Sequence, residues 1–402
     1  MKKIYLLFII AAGLLTFFPG CKNKTGYKTL IITGQNNHNW KASSPVLKQI
    51  LEETGLFSAE IVTTPDKGGD MKTFNPDFSK YKLVVIDYNG DSWSEKTNNA
   101  FVEYVRSGGG VVLYHAADNS FPEWKEYNEM SGLGGWGDRN QKNGPYVYYK
   151  NNVLVTDTSA GTGGSHGKRR EFLVRTRIAD HPITRGLPVE WLHGSDELYS
   201  QLRGPAKNMQ ILATAFADSA AGGGTMRDEP VLMTITFGKG RIFHTTMGHA
   251  DEGGGPSMHC AGFITTLQRG AEWAATGDVT QKVPWDFPNA AGVVLRHHFK
   301  EMTLDEAFDN IGNYEIEKST KYLSCIQSYL RSIAGDEQGL LNIEKRMVKV
   351  LRDNKATIDS KKLLLRELSW MGSDYSVQTI RELVSNTELK DEAEFALGRL
   401  KQ

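Results

Sequence analysis

From Tyr27 to Gly277 the chain repeats one pattern: a short apolar run, a polar loop containing glycine, then a segment with helical spacing. This alternation constrains the fold more than any other feature. Thr29–Thr33, Leu83–Asp87 and Val111–Tyr114 are apolar without period-two alternation, so both faces of each strand are buried. Such strands, with a further one near Glu60–Thr63, separated by helices over Ser44–Thr54 and Ser94–Arg106, predict an α/β domain with a mostly parallel sheet flanked by helices. On the second helix Phe101, Val102 and Val105 share one face. Further strands are expected near Phe172–Arg177, Ile211–Ala215 and Val231–Phe237. Gly238-Lys239-Gly240 reads as a hairpin turn into Arg241–Thr246, and a helix over Ser257–Thr276 closes the domain. Between these, Gly132–Gly167 is rich in glycine and tyrosine and reads as a long decorated loop region of functional character.

A chain of 402 residues exceeds one ordinary domain, and the flanks differ in character. Residues 1–20 read as a lipoprotein signal peptide: Lys2 and Lys3 precede the apolar run Ile4–Phe18, which is short for a bilayer span. Phe18-Pro19-Gly20-Cys21 resembles a lipobox with Cys21 as lipid acceptor, against the alternative of an ordinary secretory signal with a chance cysteine. Residues 21–26 then form a tether, and the expected location is the periplasmic face of the outer membrane, held by the lipid anchor only. Cys260 and Cys325 remain in the mature chain and are expected as separate buried thiols, although an exported protein would permit a disulfide. Lys plus Arg and Asp plus Glu balance at 47 each, which argues against nucleic acid as a partner. Residues 285–303 read as a linker, and 304–402 as a helical domain. There Ser360–Met371, Ser376–Ser385 and Asp391–Leu400 suggest HEAT-type stacking that offers a surface to a protein partner; the alternative is a plain helical cap.

Eight of the ten histidines lie in the α/β domain, most beside strand ends or in glycine-rich loops. His38-Asn39-Trp40 follows the first strand, where Asn39 can bond hydroxyls and Trp40 can face a sugar ring; a surface turn with a core tryptophan fits equally well. No G-x-G-x-x-G occurs there, so a dinucleotide site is unsupported. His115, with Asp118 and Asn119 close behind, follows the strand Val111–Tyr114 at a position where no cysteine offers a thiol nucleophile. In His193-Gly194-Ser195-Asp196-Glu197-Leu198-Tyr199 a carboxylate beside a histidine can orient a base, bind a metal or hold hydroxyls, or simply form a solvated turn. His244, His249 and His259, with Asp251 and Glu252 among them, form the densest group and suit a divalent metal such as zinc, on density alone because the spacing matches no tight metal motif. An acid–base or hydrogen-bonding role for His249 is the competing expectation.

Several of these pieces, in order, are similar to the ThuA (trehalose-utilisation) family. They are the His38-Asn39-Trp40 loop, Gly109–His115, His181-Pro182-Ile183 with Gly186-Leu187-Pro188, and Asp196–Tyr199. The series ends with Gly238–Phe243 leading to Gly248-His249, and with Arg269–Gly277. The resemblance spans 27–284 and implies a flavodoxin-type, class I glutamine amidotransferase-like fold lacking the thiol nucleophile. It also implies a carbohydrate substrate, in pathways that pass through 3-keto sugars, and makes His38, His115, Glu197 and His249 cleft residues. The Gly134–Gly167 insert and the helical C-terminal part depart from shorter relatives and leave the substrate's identity open. On this reading the protein acts on a 3-keto disaccharide or glycoside by acid–base or metal-assisted chemistry. His249, Glu197 and His115 are the expected catalytic residues, and His38, Asn39, Trp40, Asn119 and Asp196 the expected substrate contacts. A non-catalytic sugar-binding or scaffolding lipoprotein is the alternative.

Overall fold

A computed structural model describes residues 26–296, 299, 302–316, 318 and 320–400. The expected signal peptide, Cys21 and the expected tether through Thr25 lie outside the described residues. In chain order the first part contains β1 (Tyr27–Thr33), α1 (Trp40–Glu52), β2 (Phe57–Thr63), β3 (Leu83–Ile86), α2 (Glu95–Arg106), β4 (Gly110–Tyr114) and α3 (Lys125–Ser131). The middle contributes β5 (Tyr146–Lys150), β6 (Val153–Asp157), β7 (Ser165–His166), β8 (Arg170–Thr176), β9 (Glu190–Asp196) and β10 (Tyr199–Ser200). Then follow β11 (Met209–Phe216), β12 (Asp228–Phe237), β13 (Gly240–Thr245), α4 (Gly255–His259) and α5 (Ala261–Thr276).

The main sheet has the order β2-β1-β3-β4-β13-β12-β11-β8-β9. Its first five strands pair in parallel and the rest antiparallel, so one sheet is half doubly wound and half meander. Strand alternation divides the core into two layers. Ile31, Val85 and Val112 point toward α1 and α5, where they meet Leu47, Ile50, Phe263 and Leu267. Leu30, Ile32, Val84 and Val111 point the other way, toward Phe101 and Val105 of α2 and Tyr127 and Met130 of α3. Because both faces are covered, the interior strands carry unbroken apolar runs, as the sequence pattern requires.

Three elements differ from the sequence expectation. Helix α1 starts at Trp40 rather than Ser44, and Pro45 lies inside it, in the second turn, where it removes one i→i−4 hydrogen bond. The expected helix Ser257–Thr276 is broken at Cys260, whose extended backbone forms a bridge with Leu295. The region Gly132–Gly167 is not all loop: Tyr146–Asp157 folds as the hairpin β5–β6 and joins the sheet through β12. The Gly238-Lys239 turn between β12 and β13 forms as anticipated. Cys260 and Cys325 are separate buried thiols.

The helices α6 (Leu304–Ile311), α7 (Lys321–Ser332), α8 (Glu337–Arg352), α9 (Ile358–Met371), α10 (Asp374–Leu383) and α11 (Lys390–Leu400) follow. They share a third apolar cluster built on Ile326, Met347, Leu364, Leu368, Ile380 and Ala393. Among the described residues no helix is long and apolar enough to cross a membrane.

One buried acid in the sheet makes stability sensitive to pH. Glu229 on β12 is 2% exposed and accepts a 2.7 Å bond from the Thr225 hydroxyl. Burial pushes its carboxyl up from 4.5 to about 7, although the Thr225 bond and the Arg227 charge oppose this and the Asp228 charge adds to it. A raised folded-state value means the stabilisation is complete below the unfolded value and is lost as pH rises through 7. Between pH of about 5.5 and about 8.5 the loss should be about 2 kcal/mol. Glu229→Gln, which keeps the Thr225 bond, is expected to reduce the loss in stability between the two pH values by about that amount in urea unfolding, leaving the part due to Asp87 and His193. An unchanged slope would show that the proton is held elsewhere.

Candidate active site

Four loops at one end of the sheet deliver four side chains to one point. His38 follows β1, His115 follows β4, Glu197 follows β9 and His249 follows β13. Beyond the carboxyl ends of parallel strands the backbone is free to turn, and ligands bind there in open α/β sheets. His115 occupies the first position after β4 at φ 46°, a left-handed conformation that a non-glycine residue rarely takes. Such local strain persists only where the surroundings impose it. Here Tyr199 stacks on the ring at 4.5 Å and the Thr246 carbonyl accepts from Nδ1 at 2.6 Å. Gly248 sets up His249. Its φ is 107°, and a Cβ would come within 2.7 Å of the Phe263 and Tyr114 rings. Only glycine fits there.

The four groups are close. Glu197 Oε2 lies 3.4 Å from His38 Nε2, 3.8 Å from His115 Nε2 and 3.2 Å from His249 Nδ1. One ligand atom from each of the four can be chosen so that all lie within 4.8 Å of one another. Burial pushes the His115 imidazole down to about 3, with the His38 charge acting in the same direction, so His115 is a neutral ring. Burial would raise the Glu197 carboxyl, but His249 and His38 beside it and the nearby His115 hold it well below the usual carboxylate range. The ring nitrogens His115 Nε2 and His249 Nδ1 are buried and have no aligned hydrogen-bond partner.

Behind this cluster sits a buried support. Asp196, fully inaccessible, accepts from the backbone N–H groups of Glu197 at 2.7 Å, Gly248 at 2.6 Å and His249 at 3.0 Å. It also meets His193 Nε2 at 2.8 Å. Burial disfavours charge on His193, yet the Asp196 and Cys260 bonds outweigh it and raise the ring to about 9. Burial works against the Asp196 carboxylate and the Cys260 thiolate too, and in both the His193 bond prevails and lowers the pKa. One aspartate thus fixes the loops that carry Glu197 and His249.

A second relay orients His38. The Asp87 carboxylate takes the hydroxyls of Ser43 at 2.6 Å and Ser44 at 2.7 Å, and the Asn36 amide at 3.1 Å. Asn36 Oδ1 and Asn37 Oδ1 in turn lie 3.3 and 3.1 Å from His38 Nδ1. Burial pushes Asp87 up to about 6 despite the two serines and Asn36.

Above the cluster opens a cleft of about 300 Å³ lined by Asn37, His38, Asn89, Asn119, Trp136, Gly137, His166, Glu197 and Tyr199. Trp136 meets the Tyr199 ring at 4.7 Å, and Asn119 Oδ1 is buried without a hydrogen-bond partner. Of the residues expected from sequence, His38, His115, Asn119, Glu197 and His249 come together here. Asn39 and Trp40 do not line the cleft, because they turn into the start of α1, with Lys41 over the Trp40 ring. Asp196 is sealed beneath and contacts backbone, so it supports rather than touches a ligand.

The expected metal set His244, His249 and His259 is not assembled. His244 Nδ1 faces the Ser131 carbonyl at 2.8 Å and its Nε2 lies 3.6 Å from Asp118, while both His259 nitrogens face carbonyls of Arg296 and Gly253. Strand alternation explains His244: it faces the Ile242 side of β13, whereas His249 lies in the loop beyond. Trp136 and His166 carry no role in the sequence reading, where aromatic residues within a glycine-rich insert are the available signal; Tyr199 enters there only as the end of the His193–Tyr199 segment.

The family profile described as trehalose utilisation, ThuA, matches residues 28–274. A ThuA-like protein from Parabacteroides merdae is 53% identical and its structure superposes with a TM-score of 0.67, over 69% of this chain and 100% of that one. A ThuA-like protein from Bacteroides uniformis is 17% identical, with a TM-score of 0.40 over 65% of this chain and 97% of that one. No curated protein matches the chain. The helices from Leu304 onward lie outside the matched span. Over well more than half its length, then, this chain belongs to the ThuA family.

Proposed function

We propose that the protein is an exported, lipid-anchored enzyme that processes a keto-disaccharide or glycoside in the cleft above His38, His115, Glu197 and His249. The observation that carries this reading is the convergence of three imidazoles and one carboxylate beneath a cleft walled by Trp136, Tyr199 and three asparagines. The family's description as trehalose utilisation supports the sugar. Aromatic faces beside amides suit a neutral sugar ring, whose C–H face is apolar and whose rim is hydroxyl. The sequence of the first 21 residues supports export and anchoring at Cys21.

The chemistry that fits is proton transfer next to a carbonyl. A ketone at sugar C3 acidifies the C2–H bond. A base removes that proton, the electron pair forms the C1–C2 double bond, and the glycosidic oxygen leaves from C1 and takes up a proton. Water then adds to the alkene. His249, with Glu197 beside it, is the base of this reading, and His115 and Asn119 face the oxygens. No pair of separated carboxylates of the glycosidase kind is needed.

The test is turnover of a 3-keto disaccharide against its unoxidised parent. The keto form should be consumed and the parent left intact; binding of both without turnover would move the protein to the sugar-binding class. Trp136→Ala should raise KM for the keto-sugar by roughly tenfold with little change in kcat, since removing an aromatic platform costs about 1–2 kcal/mol of uniform binding. An unchanged KM would place the sugar elsewhere.

A further inference from the structure

We propose that His38, His115, His249 and Glu197 bind one divalent transition-metal ion of zinc's class, with its open coordination position facing the cleft.

The argument starts from where the ring protons must be. His115 Nδ1 lies 2.6 Å from the Thr246 carbonyl, which can only accept, so that nitrogen carries the proton and Nε2 offers a lone pair. The backbone holds the ring so that Nε2 points into the cluster, buried and without a hydrogen-bond partner. His38 Nδ1 faces the amide oxygens of Asn36 and Asn37, and these orientations are fixed: Asn36 Nδ2 is engaged by Asp87, and Asn37 Oδ1 accepts from Asn89 at 2.7 Å. The proton again sits on the outer nitrogen and Nε2 turns inward, where the Tyr199 hydroxyl approaches it at 3.4 Å. His249 Nε2 looks out toward Asp251 at 4.0 Å, while its buried Nδ1 lies 3.2 Å from Glu197 but is not aligned to donate.

Two imidazole lone pairs, the unpartnered Nδ1 of His249 and a carboxylate therefore converge on one small space. A cation between them would satisfy all four groups at once. The three spacings to Glu197 are near what an ion needs, and the wider pairs of the set, up to 4.8 Å apart, would draw in by about an ångström on binding. Metal–ligand bonds of about 2.0–2.2 Å place neighbouring ligand atoms of a tetrahedron roughly 3.3–3.6 Å apart. The distances from Glu197 Oε2 to the three nitrogens are 3.4, 3.8 and 3.2 Å. Imidazole nitrogen with a single carboxylate selects zinc, iron, cobalt or nickel over calcium or magnesium, which require mostly oxygen. The outer partners of two imidazoles, the Thr246 carbonyl and the Asp87–Asn36 relay, are the orienting acceptors that metal-bound histidines use.

This inference is independent of the sugar reading and concerns the same four side chains. The two readings give His249 and Glu197 different work: holding an ion would occupy the lone pair and the carboxylate that the keto-sugar reading uses to remove the C–H proton. The experiment contains no sugar. The full mature chain, stripped with chelator, is titrated with cobalt(II) while visible absorption is recorded, then challenged with zinc(II). We expect ligand-field bands that saturate at one ion per chain and are abolished by zinc. His115→Ala and Glu197→Gln should each weaken binding by about 100-fold or more. His38→Ala, on a surface loop where loss of folding is not expected, should do the same. His259→Ala should bind as the parent does. No saturating signal, or a signal that survives in His38→Ala and Glu197→Gln alike, would overturn the site. Absence of an ion would leave the keto-sugar reading standing, and failure to turn over a keto-sugar would leave the ion in place.

Discussion

Replacing Asp196 with alanine is expected to cost about 3–5 kcal/mol of stability, the range for removing one partner of a buried ion pair. The change forces His193 either to give up its proton or to stay an uncompensated buried cation beside Cys260, and strips the acceptor from three backbone N–H groups. Unpaired buried donors each carry their own desolvation cost, so the loss does not depend on His193 alone. Melting of the α/β part should fall by roughly 10 °C. Asp196→Asn should be milder, because its amide oxygen can still accept from the Gly248 or His249 backbone. Unfolding followed by near-ultraviolet circular dichroism reads this directly. A loss below about 1 kcal/mol would mean that water reaches the aspartate and that the support beneath the site is not sealed.

Glu197→Gln should separate chemistry from support. It keeps the shape of the side chain but removes the one negative charge that three imidazoles surround. On the proposed keto-sugar reaction kcat is expected to fall by about 10²–10⁴-fold, the usual contribution of a positioned acid–base group, with KM little altered. Its melting temperature should drop far less than that of Asp196→Ala, since Glu197 lies at the floor of an open cleft. Steady-state kinetics on the same preparation used for melting gives both numbers. Undiminished kcat would remove Glu197 from the reacting centre.

The parallel half of the sheet was readable because strands buried on both faces must be apolar throughout: Leu30–Ile32, Leu83–Ile86 and Val111–Leu113 have few other interpretations. From those strands the loops that hold His38 and His115 follow at once. Glu190–Asp196 was harder. Its residues Trp191, His193, Gly194 and Asp196 are all buried, yet two of them are polar and pair with each other, so hydrophobicity concealed a strand. The hairpin β5–β6 was hidden for the opposite reason: Val153 and Leu154 are exposed, and the segment has no clean alternation. The histidine positions were legible but their grouping was not. His244, His249 and His259 are near in sequence, while His38, His115 and His249 are near in space, and only the sheet order connects the second set.

The position of β13 carries a consequence for biogenesis. This late strand lies at the centre of the sheet, between β4 and β12, and its partners in β4 are more than a hundred residues earlier. Until Arg241–Thr245 arrives, β4 presents an unpaired apolar edge, and neither side of the sheet can join the other. Pairing over so long a separation is slow. Synthesis therefore proceeds with the domain unassembled, and assembly of the sheet is concentrated in one late step. A nascent chain halted before β13 would expose the kind of edge that recruits other strands, and its natural fate is aggregation or capture by a chaperone.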